Sequence, residues 1–176
     1  ERWGRLDCAV NSAGISEDFV PITDADDAVF DRMMGVNCKG TFLCMKHEIR
    51  QMLRQGGGGS VVNLSSVLGH TAAPTGSIYV ATKHAIEGLT KSAALCYAAQ
   101  GIRVNAVAPT VVAGTPMVDD VMANHPGLMD PYIAAIPVGR PARVDEVARV
   151  IAWLCSDDAS FVNGHSLPVD GGQLAR

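Results

Sequence analysis

Four short runs of apolar residues punctuate the chain. Each is apolar almost throughout, which indicates a buried strand; they cover residues 6–11, 61–64, 102–108 and 166–169. Longer segments with apolar residues at helical spacing lie between them, at residues 24–55, 77–99 and 143–156. Strands that alternate with helices in this way are typical of a parallel sheet with helices on both faces. The pattern predicts an α/β fold, a doubly wound parallel sheet of about four strands.

The longest helical segment, residues 24–55, carries an interruption in its middle. Asn37 competes there for backbone hydrogen bonds, and Gly35 and Gly40 flank it. We expect a local kink at this point, which would free polar groups for use. The expected N-cap of the helix is Thr23 or Asp24.

Polar residues follow three of the predicted strands, at the point where each strand ends. They lie at residues 11–14, 65–66 and 109–115. Ligands of parallel α/β sheets bind beyond the carboxyl ends of the strands. We therefore expect these segments to meet at one edge of the sheet, beside the start of the helix over residues 77–99.

Tyr79 and Lys83 are four residues apart near the start of that helix, so their side chains share one face. A free tyrosine has a pKa of about 10, and a nearby ammonium group lowers that pKa. Such a tyrosine could exchange a proton with a carbonyl or alcohol oxygen, which Ser66 could also hydrogen-bond. Taken alone, the pair is equally compatible with an amphipathic helix that carries both residues by coincidence.

The chain has 176 residues and a formal net charge of −4. This length fits one domain, and the mild acidity argues against nucleic acid or an anionic membrane surface as a partner. No apolar run approaches the length that crosses a bilayer. The five cysteines form no Cys-x-x-Cys pair, so we expect reduced, buried thiols in a cytoplasmic protein. The histidines lack metal-like spacing, and no metal site is predicted.

Six motifs, in this order, resemble the short-chain dehydrogenase/reductase family in its short single-domain branch. They are Asn-Ser-Ala-Gly at residues 11–14, Asn37 before Cys-Lys-Gly, Ser66, Tyr79-x-x-x-Lys83, Asn-Ala-Val-Ala-Pro at 105–109 and Val-Asp-Gly-Gly at 169–172. The order and spacing fit over residues 6–172. The resemblance implies a Rossmann-like fold and reversible hydride transfer between NAD or NADP and an alcohol or carbonyl substrate.

The same resemblance implies a role for each matching residue. Tyr79 would be the general acid/base, Lys83 would lower its pKa and bind the nicotinamide ribose, and Ser66 would orient the substrate carbonyl. Asn37 would hold a water that links Lys83 to solvent. The cofactor contacts would be Asn11, Ala13, Gly14, Tyr79, Lys83, Pro109, Val112 and Thr115.

Several features depart from the family pattern. Ser12 stands where a second asparagine is common, Thr110 stands where glycine is usual, and Thr115 lies one residue late. The glycine-rich turn that holds the pyrophosphate in the family has no match, and the glycines at residues 56–59 connect a helix to a strand. We therefore expect residues 1–176 to be a single partial domain, the C-terminal two-thirds of a reductase, with impaired cofactor binding.

Two other functions stay open at this point. One is a non-catalytic remnant that serves as an interaction or scaffold fragment. The other is an isomerase or dehydratase of the extended relatives, which have a larger C-terminal substrate region. For the reductase, the partly apolar segment over residues 110–140 favours a small to medium hydrophobic alcohol or ketone as substrate. By resemblance, the full-length form would be a homodimer or homotetramer.

Overall fold

The computed structural model describes residues 4–175. Its strands are β1 (Cys8–Asn11), β2 (Gly59–Leu64), β3 (Ile102–Pro109), β4 (Val112–Ala113), β5 (Ala142–Arg143) and β6 (Ser166–Val169). Four of them form a parallel sheet in the order β1, β2, β3, β6. The short strands β4 and β5 pair separately and in parallel. The predicted parallel α/β sheet is thus confirmed, whereas the β4–β5 pair has no counterpart in the prediction.

The α-helices are α1 (Asp27–Met33), α2 (Thr41–Gln55), α3 (Ser77–Tyr97), α4 (Pro116–Asn124), α5 (Asp130–Ala134) and α6 (Val144–Cys155). Short 3-10 turns cover Ile22–Asp24, Val67–Gly69, Ala98–Gln100 and Asp157–Ala159. A π-helical segment, Met34–Gly40, joins α1 to α2.

Helices cover both faces of the sheet. On one face, α2 and α3 pack against the strands around Val61 and Val104, which are fully buried. On the other face, α6 packs against Val62 and Val107, which are also fully buried. Neighbouring strand residues point to opposite faces, so one apolar run supplies both cores. This two-sided burial explains why the strand sequences are apolar almost throughout.

The prediction of one continuous helix over residues 24–55 is wrong, because the segment is divided into α1, a π-helical segment and α2. Ala25 has an extended backbone, and the helix begins instead after Asp26, whose side chain caps it by accepting from the Ala28 amide. The predicted kink is confirmed as the π-helical segment, which places Asn37 at its middle. A π-turn is a common device at functional sites, because it re-aims side chains within an otherwise regular helix.

The cysteines differ from the expected buried thiols. All five are free, but Cys8, Cys44 and Cys96 are exposed, and Cys38 and Cys155 are half-buried. The expectation fails because apolar neighbours in sequence do not share a face with the cysteine in a helix or strand.

The glycine run over residues 56–59 connects α2 to β2, as predicted, and the connection is tight. Gly58 has a φ of +79°, and a Cβ there would lie 2.4 Å from the carbonyl oxygen of Gly101. Only glycine therefore allows the two turns to pack this closely.

Candidate active site

A cavity of about 530 Å³ opens at the carboxyl edge of the sheet. Its walls come from the segments after β1, β2 and β3, from the start of α3 and from α4. The three predicted polar segments thus meet, because parallel strands end on one side of the sheet. The predicted site residues that line the cavity are Ala13, Gly14, Ser66, Tyr79, Lys83, Pro109, Val112 and Thr115.

Ser66 and Tyr79 both line this cavity, and the Ser66 hydroxyl is close enough to influence the pKa of Tyr79. Ser66 also caps the 3-10 turn that follows it, since its Oγ accepts from the Leu68 amide at 3.2 Å. Tyr79 is half-buried and lines the cavity. This burial raises the pKa of Tyr79 to about 12, against the opposing effect of the Ser66 hydroxyl. Tyr79 is consequently a neutral phenol at pH 7.

Lys83 lies one helical turn after Tyr79, with its Nζ 5.3 Å from the centroid of the Tyr79 ring. The Nζ donates to the carbonyl oxygen of Leu64 at 2.8 Å. Burial lowers the pKa of Lys83 to about 8, and the negative charge of Glu87 partly offsets this effect.

The expected lowering of the Tyr79 pKa does not appear in this structure, where burial raises it instead. The desolvated lysine loses its charge near pH 8, whereas Tyr79 titrates near pH 12. The role of Lys83 in lowering the Tyr79 pKa stays a prediction.

Asn37 is fully buried in the π-helical segment, and its amide group reaches the chain that follows β1. Its Oδ1 accepts from the Ile15 amide at 2.8 Å, and its Nδ2 donates to the Ile15 carbonyl at 2.8 Å and to Thr82 Oγ1 at 3.2 Å. This two-way contact fixes the cavity wall around Gly14. The role of Asn37 in holding a water for Lys83 stays a prediction.

Gly14 sits between Asn37 and Lys83. A Cβ at this position would lie 3.4 Å from Asn37 Oδ1 and 3.8 Å from Lys83 Nζ. The absence of a side chain therefore leaves the Lys83 ammonium open to the cavity.

Asn11 does not line the cavity, although it is among the predicted cofactor contacts. Its Nδ2 donates to Glu48 Oε2 at 3.0 Å and to Asn63 Oδ1 at 2.9 Å. Asn63 is fully buried and donates in turn to Thr90 Oγ1 at 2.9 Å. The Asn11 side chain thus ties β1 to β2 and α2, and a cofactor contact from Asn11 stays a prediction.

Val112 and Thr115, the predicted contacts of the nicotinamide amide, flank the entry to α4. Thr115 is the N-cap of this helix: its Oγ1 accepts from the Val118 amide at 3.4 Å and donates to the Val112 carbonyl at 3.0 Å. Val112 is held by its pairing with Ala142 across the β4–β5 pair. Both residues face the cavity together with Pro109 at the end of β3.

Asp18 is a site residue that no sequence pattern predicts. It is 3% exposed, and its Oδ2 accepts from the backbone amides of Ile78 at 2.6 Å and Tyr79 at 3.4 Å. Helix α3 begins after Gly76, which cannot cap it with a side chain. The carboxylate of Asp18 does so from a distant loop, and it therefore sets where Tyr79 lies. The missing local cap is visible in the sequence, but the residue that supplies it is not.

Residues 4–175 contain neither a candidate metal site nor a helix suited to span a membrane. No group of three or more His, Cys, Asp or Glu side chains in this part of the chain is arranged to hold a metal ion. None of the helices described there combines the length and the apolar character that a membrane crossing needs.

Comparison with known proteins places this arrangement in context. The family model described as Enoyl-(Acyl carrier protein) reductase matches residues 1–173. The chain is 46% identical over 172 residues to an A-factor type gamma-butyrolactone 1'-reductase (1S-forming) of Streptomyces virginiae, a match that covers 98% of this chain and 66% of that protein. It is 44% identical over 174 residues to a 2,5-dichloro-2,5-cyclohexadiene-1,4-diol dehydrogenase of Sphingobium indicum, over 98% of this chain and 69% of that protein.

A solved structure, ElxO with NADP bound, has the same fold. It superposes with a TM-score of 0.91 at 35% identity, over 99% of this chain and 70% of that chain. The chain spans 66% to 70% of the length of these relatives. The expected lack of a glycine-rich cofactor segment stays a prediction.

Proposed function

This chain belongs to the short-chain dehydrogenase/reductase family, and on that premise we propose that it carries the proton-transfer site of an NAD- or NADP-dependent oxidoreductase. The reaction interconverts an alcohol and a carbonyl compound. The observation that carries the proposal is that Ser66, Tyr79 and Lys83 line one cavity, with the Lys83 Nζ 5.3 Å from the tyrosine ring.

In the direction of reduction, Ser66 and Tyr79 act on the substrate oxygen. A carbonyl oxygen next to both hydroxyl groups accepts a hydrogen bond from each, which polarises the carbonyl bond. Tyr79 then gives its phenolic proton to this oxygen, so that the product is an alcohol. Its raised pKa keeps it protonated at neutral pH, which is the form that a general acid needs.

Lys83 has its role after that proton has moved. Because its pKa is about 8, Lys83 is an ammonium group at pH 7 and faces the phenolate that Tyr79 becomes. The lysine thus stabilises the product state of the proton transfer. The cycle is complete when Tyr79 regains a proton. Asn37 is our candidate for holding the water that links Lys83 to solvent and so returns this proton.

The residues at the cavity fit a nicotinamide cofactor. An ammonium group has three donors, of which the Leu64 carbonyl takes one, so Lys83 has donors left for a ribose hydroxyl. Gly14 leaves room beside it. Ala13, Gly14, Pro109, Val112 and Thr115 would complete the contacts, with Asn11 contributing through its backbone. When bound, the cofactor supplies or removes the hydride.

The substrate is, in our proposal, an alcohol or ketone on an apolar ring. The cavity wall opposite the catalytic residues contains Phe19, Met117, Val121, Met129 and Tyr132, which favour an apolar body. The names of both curated relatives contain a ring compound, a butyrolactone and a cyclohexadiene diol. A cavity of about 530 Å³ is of the size that small-molecule sites have.

The test combines cofactor binding with turnover. NADH and NADPH binding is measured by fluorescence on this chain and on a form extended upstream with a glycine-rich segment. Turnover is then followed at 340 nm with cyclic ketones and alcohols. We expect Tyr79→Phe to lower turnover by at least about 10²-fold with cofactor binding intact.

Tyr97→Phe, at the far end of α3, is the matched control and should leave turnover unchanged. Turnover that survives in Tyr79→Phe would refute the assigned general acid. A form that binds the cofactor but turns over none of the compounds would instead favour the scaffold function.

We also infer a homodimer or homotetramer in the cytoplasm. Large apolar side chains on α2 and α3 are exposed, with Phe42 at 48%, Leu53 at 43% and Leu95 at 85%. Surfaces of this kind are typical of subunit contacts. The five free cysteines fit a reducing compartment. Sedimentation velocity should show an oligomer that Leu95→Glu weakens, and a monomeric native protein at micromolar concentration would contradict the inference.

A further inference from the structure

Three polar side chains from distant parts of the chain meet behind the Ser66 turn. His70 comes from the end of that turn, Glu87 from α3 and Ser166 from β6. Ser166 Oγ donates to Glu87 Oε1 at 2.8 Å and lies 2.9 Å from His70 Nε2. The His70 Nε2 is also 3.6 Å from Glu87 Oε1. The hydroxyl donates to the carboxylate, so it accepts from the imidazole, and the three groups form one directed chain of hydrogen bonds.

Glu87 is the costly member of this chain. It is 5% exposed, and its second carboxylate oxygen, Oε2, is buried without a hydrogen-bond partner. Burying a carboxylate is unfavourable unless its charge is compensated. A buried carboxylate with one oxygen lacking a hydrogen bond therefore calls for an explanation. Apolar side chains would link α3 to β6 at a lower cost in free energy, because they need no desolvation of a charge.

Lys83 is the buried cation on the same helix that can balance this charge. It precedes Glu87 by one helical turn, so the two side chains share one face of α3, and both are 5% exposed. Side chains in a helix lean towards its N-terminus, which brings the carboxylate back over the Lys83 turn. Burial lowers the pKa of Lys83, and the Glu87 charge is the opposing cause.

Close packing holds this unit directly behind the catalytic serine turn. A Cβ on Gly69 would lie 2.5 Å from Ser65 Oγ, 3.1 Å from the Lys83 carbonyl and 3.2 Å from Glu87 Oε1. Glycine at this position is therefore needed for the turn, α3 and the carboxylate to approach one another. The Glu87 carboxylate therefore lies next to the turn that carries Ser66.

We propose that Glu87, held by Ser166 and His70, is a positioning residue that keeps Lys83 in the ammonium form at neutral pH. The inference rests on the proposed function, in which the Lys83 ammonium faces the Tyr79 phenolate. Glu87 touches neither substrate nor cofactor in this scheme. It acts through Lys83, and a substitution at Glu87 changes the pH range of the reaction.

The titratable and charged groups that face Glu87 in the described chain are few. The turn after β2 contributes His70, and α3 itself contributes Lys83. Strand β6 contributes the uncharged hydroxyl of Ser166, and Tyr79 faces Lys83 from one turn earlier. Among these, only Lys83 has a functional charge that the Glu87 carboxylate can favour directly.

The test is a titration of Lys83 in the 176-residue chain. The chain contains four lysines, so carbon-13 labelling of lysine Cε gives a simple NMR spectrum, which Lys83→Arg assigns. In the native chain the Lys83 midpoint should lie near pH 8. In Glu87→Gln the Lys83 midpoint should fall by about one pH unit, because the negative charge is gone. In Ser166→Ala the midpoint should fall by less, because Glu87 keeps its charge and loses only the hydrogen bond from Ser166.

The matched control is Glu48→Gln on α2, which removes a half-buried carboxylate that accepts from Asn11. It should leave the Lys83 midpoint unchanged. An unchanged midpoint in Glu87→Gln would overturn the inference, even if the variant lost thermal stability, since stability alone indicates a structural link. If Glu87→Gln does not fold, an unchanged midpoint in Ser166→Ala overturns it equally.

Turnover gives an independent reading. With a midpoint one pH unit lower, the ammonium fraction at pH 8 falls from about one half to about one tenth, so we expect about fivefold slower reduction in Glu87→Gln at pH 8. The loss should shrink at pH 6. These rates are measured on the form extended upstream. If that form binds the cofactor but shows no turnover, the proposed function is refuted, while the Lys83 titration still decides the role of Glu87.

Discussion

Replacement of Lys83 by methionine should make the protein more stable at pH 7 and inactive. The ordinary lysine pKa of 10.5 falls to about 8 in the folded chain. At 1.36 kcal/mol per pKa unit, holding the buried ammonium at pH 7 costs about 3 kcal/mol. Methionine has a similar length and carries no charge, so Lys83→Met removes this cost.

The substitution also breaks a contact. The Leu64 carbonyl loses the hydrogen bond from Lys83 Nζ, at a cost of about 1 to 2 kcal/mol. The net gain in the free energy of unfolding is therefore about 1 to 2 kcal/mol at pH 7.

The sign of the pH dependence is the sharper part of this prediction. The unfolded chain holds the Lys83 proton more tightly than the folded chain, so native stability is lowest below pH 8 and rises as the pH increases. Between pH 7 and pH 10 this effect amounts to about 2 to 3 kcal/mol. Lys83→Met lacks it, and its advantage should disappear and reverse over that range.

Urea unfolding at a series of pH values, followed by circular dichroism, measures both effects. The difference in free energy of unfolding between the native chain and Lys83→Met isolates the lysine, because all other groups titrate in both proteins. A difference that is independent of pH would refute a lowered Lys83 pKa. A variant less stable than the native chain at pH 7 would show that the Leu64 contact outweighs desolvation.

Three further predictions concern stability and are read by the same unfolding measurement. Gly69→Ala should destabilise the protein by about 1 to 3 kcal/mol, since its Cβ would meet Ser65 Oγ at 2.5 Å. The control Gly88→Ala, whose Cβ has nothing within 4 Å, should stabilise the protein by about 0.5 to 1 kcal/mol. Equal effects of the two changes would contradict close packing around Gly69. Thr115→Ala should cost about 1 kcal/mol as a lost helix cap, whereas Thr115→Ser should cost little; a serine as harmful as alanine would refute the cap. Asn63→Ala should cost about 2 to 3 kcal/mol, because it leaves buried partners unpaired, and a neutral change would show that they re-pair.

Most of the fold could be predicted from the apolar strand pattern in the sequence. The four short runs of apolar residues became the four strands of the parallel sheet, and Ser166–Val169 has the predicted bounds. Burial on both faces leaves a strong signal, because every position along the strand must be apolar. The pair formed by β4 and β5 escapes prediction, since two residues carry no periodicity.

The segment over residues 24–55 shows where local pattern misleads. Helical spacing continues through it, yet Asp26 starts the helix and the chain changes to π geometry around Asn37. The glycines and Asn37 were sufficient to predict a kink. Its form depends on contacts of Asn37 with Ile15 and Thr82, which come from other elements.

For the candidate site, the sequence determined which residues could take part, because strand order and strand ends fix what reaches the carboxyl edge of a parallel sheet. Ser66, Tyr79 and Lys83 therefore meet as expected. Tertiary structure alone decided the direction of the Asn11 side chain, the capping of α3 by Asp18 and the pairing of Glu87 with Ser166. It also reversed the expected pKa shift of Tyr79. Charge spacing is readable from a sequence, whereas desolvation depends on how completely the rest of the chain encloses a group.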